Sequence, residues 1–171
     1  MARILIEKRI SAKDNEALNR SAVATVDVEG GTLVKLGDYD NGVFEATVAD
    51  GTDGVGLWMA YNPSEHFTKV GDKIYAGLSA DPRDYVNLAN RTFDVFKPVV
   101  GDIIGIVDDI ATATVGSYLI ADDEDGFAVE GSTHTAGNTA VKVLAVEKLA
   151  FPRAGIGDEF ANVYVAEVVE N

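Results

Sequence analysis

A chain of 171 residues, 47% hydrophobic and without cysteine, can bury one sizeable core but can build no disulfide framework, thiolate zinc site or cysteine nucleophile. Its 28 acidic side chains against 14 basic ones leave a net charge of -14, which repels nucleic-acid phosphates and argues against nucleic acid as a partner. No apolar run approaches the roughly 18 residues that span a bilayer, so the expectation is a soluble protein with no membrane partner.

Residues 1–20 stand apart from the rest. They hold five basic groups (Arg3, Lys8, Arg9, Lys13 and Arg20) against three acidic ones (Glu7, Asp14 and Glu16), a net of +2 that leaves -16 for residues 21–171. The apolar run Ile4-Leu5-Ile6 is too short for the core of a signal peptide. One reading is an extended N-terminal arm that adds a strand to a neighbour's sheet edge, with Arg3, Ile4, Leu5, Ile6, Lys8 and Arg9 binding the partner. The plainer alternative is an edge strand or a frayed terminus. Residues 11–20 could form helix but carry too few apolar side chains for a helix to stand alone. The expected division is therefore an arm, 1–20, and a β-rich domain, 21–171.

From residue 21 onward the chain reads as strands separated by turns. AVATVDV (22–28) and TLVKL (32–36) flank the glycine pair Gly30-Gly31. Asn41-Gly42 predicts a tight hairpin returning through 43–48, because both central residues of a type I′ turn need positive φ. Further runs follow at 55–61, 73–78, 94–100, 102–110, 117–121, 126–131, 139–149 and 160–170. Their spacing and their content of Val, Ile, Tyr, Phe and Thr predict an all-β, mainly antiparallel sandwich or barrel. One or two short helices are expected beside it. NPSEHF (62–67) offers Asn62 as N-cap and Pro63 at the first helical position. DPRDYVNLANR (81–91) offers Asp81 and Pro82 likewise, with Tyr85, Leu88 and Ala89 at helical spacing.

A phrase recurs in VGDKIY (70–75), VGDIIGI (100–106), VGSYLI (115–120) and IGDEFA (156–161). Phosphate-binding loops need glycines leading into a helix, whereas here an apolar β run follows each glycine. Turn chemistry is the reading: glycine takes the left-handed conformation and aspartate caps the turn.

Little else points to catalysis or to a metal. In Asp122-Asp123-Glu124-Asp125-Gly126, an EF-type calcium loop aligned on Gly126 would place Ala121 and Ser132 where ligands belong, so an acidic hairpin tip is expected. His66 and His134 lack a partner at metal-ligand spacing. No nucleophile elbow is present, and neither an enzyme nor a cofactor is expected. Trp58 and Met59 lie in an apolar strand and read as core.

Two stretches, GGTLVKLGDYDNGVFEATVADGTDGVGLWM (30–59) and VGDIIGIVDDIATATVGSYLIADDEDGFAVEG (100–131), resemble the small β-rich decoration, or cement, proteins of tailed-bacteriophage capsids. The resemblance covers about half of the chain and carries over no catalytic residue. It implies a homo-oligomer, a trimer favoured, that sits on the virion surface, binds the major capsid protein and clamps neighbouring capsomers. Two alternatives remain open. One is another virion β protein, such as a tail-tube or head-completion subunit. The other is a small-ligand or carbohydrate-binding module with Trp58, Tyr61, Tyr75 and Tyr85 as stacking residues.

Overall fold

Strands with apolar side chains on both faces must bury both, and stacking two β layers achieves that. The computed structural model describes residues 3–63, 67–70, 73–76, 81–107, 110, 112–122, 126–153 and 157–171, with the backbone alone at 67–70, 73–76, 153 and 157. The strands in chain order are β1 (Ile4–Arg9), β2 (Asn19–Ala24), β3 (Leu33–Asp40), β4 (Val43–Val48), β5 (Trp58–Ala60), β6 (Phe67–Val70) and β7 (Lys73–Ala76). They continue as β8 (Thr92–Phe96), β9 (Ile103–Val107), β10 (Tyr118–Asp122), β11 (Gly126–Gly131), β12 (Ala140–Arg153) and β13 (Gly157–Glu170).

Six strands form an antiparallel sheet in the order β1-β9-β13-β12-β10-β11. Five others close into a barrel, β2-β4-β3-β5-β8, in which β2 and β4 run parallel. β6 and β7 pair with each other as a separate hairpin. The protein is all-β, with a barrel packed on a sheet.

Strand alternation distributes the core. In the barrel, Val34, Ala60, Phe93 and Val95 point inward with Ala22, Ala24 and Ala46. Their sequence neighbours Leu33, Met59 and Phe96 point outward, into the layer shared with Leu5, Ile104, Ile106, Val141, Tyr164 and Ala166 of the sheet. A smaller cluster of Ile4, Val107, Phe151, Val163 and Val165 occupies the opposite face of the sheet.

The turn chemistry follows the sequence closely. Asn41 (φ 50°) and Gly42 (φ 94°) make the two-residue link between Asp40 and Val43, as a type I′ hairpin requires. Gly101 and Gly116, in two of the recurring phrases, have φ of 95° and 92°. Asp102 caps its own turn by accepting from the Val99 N–H at 2.9 Å. Its other oxygen accepts from the Ser11 N–H and hydroxyl at 2.9 and 2.7 Å, which ties the N-terminal segment to this turn. The phrases at 70–75 and 156–161 include residues outside the described ones.

Two expectations need correction. Residues 4–9 form no detached arm: β1 pairs antiparallel with β9, from Ile4↔Val107 to Arg9↔Ile103, and Ile4 and Leu5 are 7% and 2% exposed. The physical reason is that Leu5 faces the barrel while Ile4 and Ile6 face the other cluster, so the chain's own sheet buries the run on both sides. Ile10 and Ala12 join the same main core. Helix is also scarcer than expected. Residues 81–91 hold a single 3-10 turn, η3 (Pro82–Asp84), with the Asp81 side chain accepting from the Arg83 N–H as foreseen. It stops there because Asn87 bonds through its main chain to Val28, both ways at 2.8 Å, and pulls the chain into an extended bridge. Residues 11–13 and 16–18 are likewise 3-10 turns. Of the expected turn at 62–67, residues 64–66 lie outside the described residues.

Candidate functional site

The six residues singled out for partner binding mostly serve the chain itself. Arg3 is buried: its N–H donates to Glu29 Oε2 at 2.8 Å and its guanidinium to Thr32 Oγ1 at 2.9 Å. The guanidinium lies over Gly126, where any side chain would overlap it. Lys8 Nζ meets Glu147 Oε2 of β12 at 2.9 Å. The acidic groups that meet Arg3 and Lys8 are thus the chain's own, Glu29 and Glu147. Arg9 is exposed and Ile6 half-buried.

A more exposed element is the long hairpin. β12 and β13 pair from Ala140↔Glu170 to Arg153↔Gly157, but β10 follows β12 only to Lys142 and β9 follows β13 only to Val163. Residues 148–153 and 157–162 therefore leave the sheet as a two-stranded ribbon. Its registered pairs Ala150↔Phe160 and Leu149↔Ala161 face opposite ways. Phe160 is 68% exposed, and Leu149 is exposed as well. On the Leu149 face, Phe151 is buried beneath the Arg83 guanidinium, 4.6 Å from its ring centre, and Glu159 accepts from Arg83 at 3.0 Å. The β6–β7 hairpin is the second element that no other strand joins among the described residues.

A cleft of about 870 Å³ opens where β2 and the β3–β4 hairpin part. β2 pairs with β4 only from Ala22↔Phe44 to Ala24↔Ala46, so among the described residues Asn19, Arg20 and Ser21 have no strand neighbour on that side. They line the cleft together with Tyr39 and Phe44 of the hairpin, and with Tyr61 and Asp94. Tyr61 donates to Asn19 Oδ1 at 2.8 Å, and burial, with Glu7 and Asp94 nearby, pushes its phenol up to about 12. Of the expected stacking residues whose side chains are described, Trp58, Tyr61 and Tyr85, only Tyr61 lines this cleft. Tyr85 is buried, and the Tyr75 side chain is outside the described ones. Trp58 is half-buried against the barrel interior, with Arg20 5.5 Å above its ring. Tyr39 and Phe44 went unnoticed in sequence, although both flank Asn41-Gly42, where a hairpin tip displays its neighbours.

His134 is less solitary than its sequence context suggests. Its Nδ1 lies 2.6 Å from Glu130 Oε2 and its Nε2 2.9 Å from Glu170 Oε2, with the Tyr118 ring stacked on it at 5.6 Å. The Glu130 hydrogen bond, then that of Glu170, holds the imidazole above its ordinary pKa. Both carboxylates are held below theirs, Glu130 chiefly by His134 and Glu170 chiefly by the Gly137 N–H. Both ring nitrogens are engaged, and no group of His, Asp or Glu among the described residues is arranged to hold a metal ion. His66 and residues 123–125 of the acidic run lie outside the described residues.

Comparison of the chain with protein-family models, with curated proteins and with solved structures finds no match.

Proposed function

We propose that this chain is a structural virion protein, a decoration or cement protein that binds the outside of a phage head and stabilises it by bridging capsomers. The observation that carries the reading is the β12–β13 ribbon. It extends past every other strand of its sheet, has no further strand paired on either edge among the described residues, and displays Phe160 at its side. A strand of the major capsid protein can add to such an edge, with the aromatic ring filling a pocket of the partner. Attachment then falls to the ribbon and to the β6–β7 hairpin, since β1 is occupied within its own sheet. The net charge of -14 keeps a particle that displays many copies from self-association. A trimer is the oligomer proposed.

The test is co-sedimentation of the full chain with heads of the phage that encodes it, prepared without it, alongside heat-induced rupture of those heads. Saturable binding and a higher rupture temperature are expected, both reduced by Phe160→Asp. Heads that neither bind the protein nor gain stability would remove the capsid reading. Rings or tubes of the isolated protein in electron micrographs would favour a tail-tube subunit.

A further inference from the structure

We infer that the cleft between β2 and the β3–β4 hairpin binds an uncharged oligosaccharide. This is independent of the capsid reading. Three observations combine. Tyr39 is 64% exposed, and its ring is held at 53° to Phe44 with centroids 4.9 Å apart, so an aromatic face is fixed at the cleft without being covered. Neither its hydroxyl nor the second Asp94 oxygen has a hydrogen-bond partner among the described residues; the first Asp94 oxygen accepts from Ser21 at 3.1 Å. Arg20 uses Nη1 on the carbonyls of Ala17 and Asn19, at 3.0 and 2.7 Å, and its remaining N–H groups have no hydrogen-bond partner among the described residues.

An aromatic face beside a carboxylate and a guanidinium matches a pyranose. The C–H face of the sugar carries partial positive charge and suits the negative face of an aromatic ring. Its hydroxyls are donors and acceptors in one plane, which a carboxylate and an arginine fork read together. The volume lies within the range of about 300–1,000 Å³ usual for ligand pockets. Charge selects against acidic sugars. Arg20 and Asp94 cancel within the cleft, while residues 21–171 carry -16 overall and repel anions.

The experiment is calorimetric titration of the full chain with soluble cello-, malto-, manno- and N-acetylchito-oligosaccharides, and with oligogalacturonate as the acidic arm. At least one neutral series should bind with Kd at or below about 1 mM. Tyr39→Ala and Asp94→Asn should each weaken it about tenfold or more, and Tyr39→Phe should retain it, because the ring persists. Thermal melts should show Tyr39→Ala folded, since its side chain is largely in solvent. The inference fails if no neutral series gives saturable binding at about 10 mM. It fails equally if only oligogalacturonate binds, or if Tyr39→Ala binds like the parent.

Discussion

The Asn62 carboxamide pairs with both main-chain groups of Leu5. The Leu5 N–H donates to Asn62 Oδ1 at 2.8 Å, and Asn62 Nδ2 donates to the Leu5 carbonyl at 2.7 Å. A side chain thus stands in for a strand neighbour at the outer edge of the sheet, and it closes the position where a foreign strand would begin to pair. Gly30 makes room for it, since a Cβ there would overlap the amide.

Asn62→Ala should therefore destabilise the protein by about 1–2 kcal/mol, because two groups of a buried residue lose their partner. Asn62→Asp should also destabilise, as a carboxylate cannot donate to the Leu5 carbonyl. Urea melts measure both. A neutral Asn62→Ala would mean that water replaces the amide without loss.

Arg83 and Asp81 form a buried pair with bonds of 2.7, 3.0 and 3.1 Å, and Asp81 also receives the Arg83 N–H. Arg83→Met should cost about 3–5 kcal/mol, because the buried Asp81 carboxylate then loses the guanidinium that bonds both its oxygens. Combining it with Asp81→Asn should recover part of that loss. If the double variant is no better than the single one, the cost comes from the stacking of Arg83 on Phe151.

Glu130, His134 and Glu170 predict a stability window in pH. A neutral imidazole carries one N–H and can donate to one carboxylate, so the observed double contact needs the imidazolium. The folded pKa of His134 is raised, so its contribution is full below about pH 6.5 and disappears as pH rises through the folded value. Those of Glu130 and Glu170 are lowered, so theirs is present above the ordinary glutamate range and disappears as pH falls through the folded values. The stability difference between the parent and His134→Gln should be largest at about pH 5–6.5 and shrink on both sides. A pH-independent difference would show that the contacts are not charge-assisted.

Gly105 in β9 lies where a Cβ would come within 3.0 Å of Ile6 Cβ and 3.1 Å of Val163 Cγ1. Both neighbours belong to strands that flank β9, so neither moves freely. Gly105→Ala gains about 0.4–1 kcal/mol by restricting the unfolded chain but costs about 1–3 kcal/mol by overpacking. Net destabilisation is expected in thermal melts. A stabilised variant would show that β1 shifts outward easily.

Local features were legible in the sequence to a fair degree. Asn41-Gly42, the cap at Asp81-Pro82 and most strand runs follow from rules that act over a few residues. The fate of Ile4-Leu5-Ile6 was legible in principle, since three consecutive apolar residues suit a strand buried on both faces, but their basic flanks suggested an arm. The strand order of the barrel was not legible. Its closure depends on β2 meeting β8 and, in parallel, β4, and no local pattern encodes a pairing of distant segments. The cleft shares that origin, because it exists only where β2 and β4 stop pairing.

β1 and β2 depend on partners that lie far along the chain. Ile4 must wait for Val107 and Val163 must then join the same strand, while Arg20 must wait for Val95. Contacts so distant along the chain make folding slow, on the order of milliseconds to seconds. Until β9 is in place, Ile4 and Leu5 lack the strand they pair with, whereas Ala22 already has β4. The positive charge around Ile4-Leu5-Ile6 then has a role before the fold exists. Basic residues that flank an apolar run act as gatekeepers against its association, and in the fold Lys8 passes from that setting to its pair with Glu147.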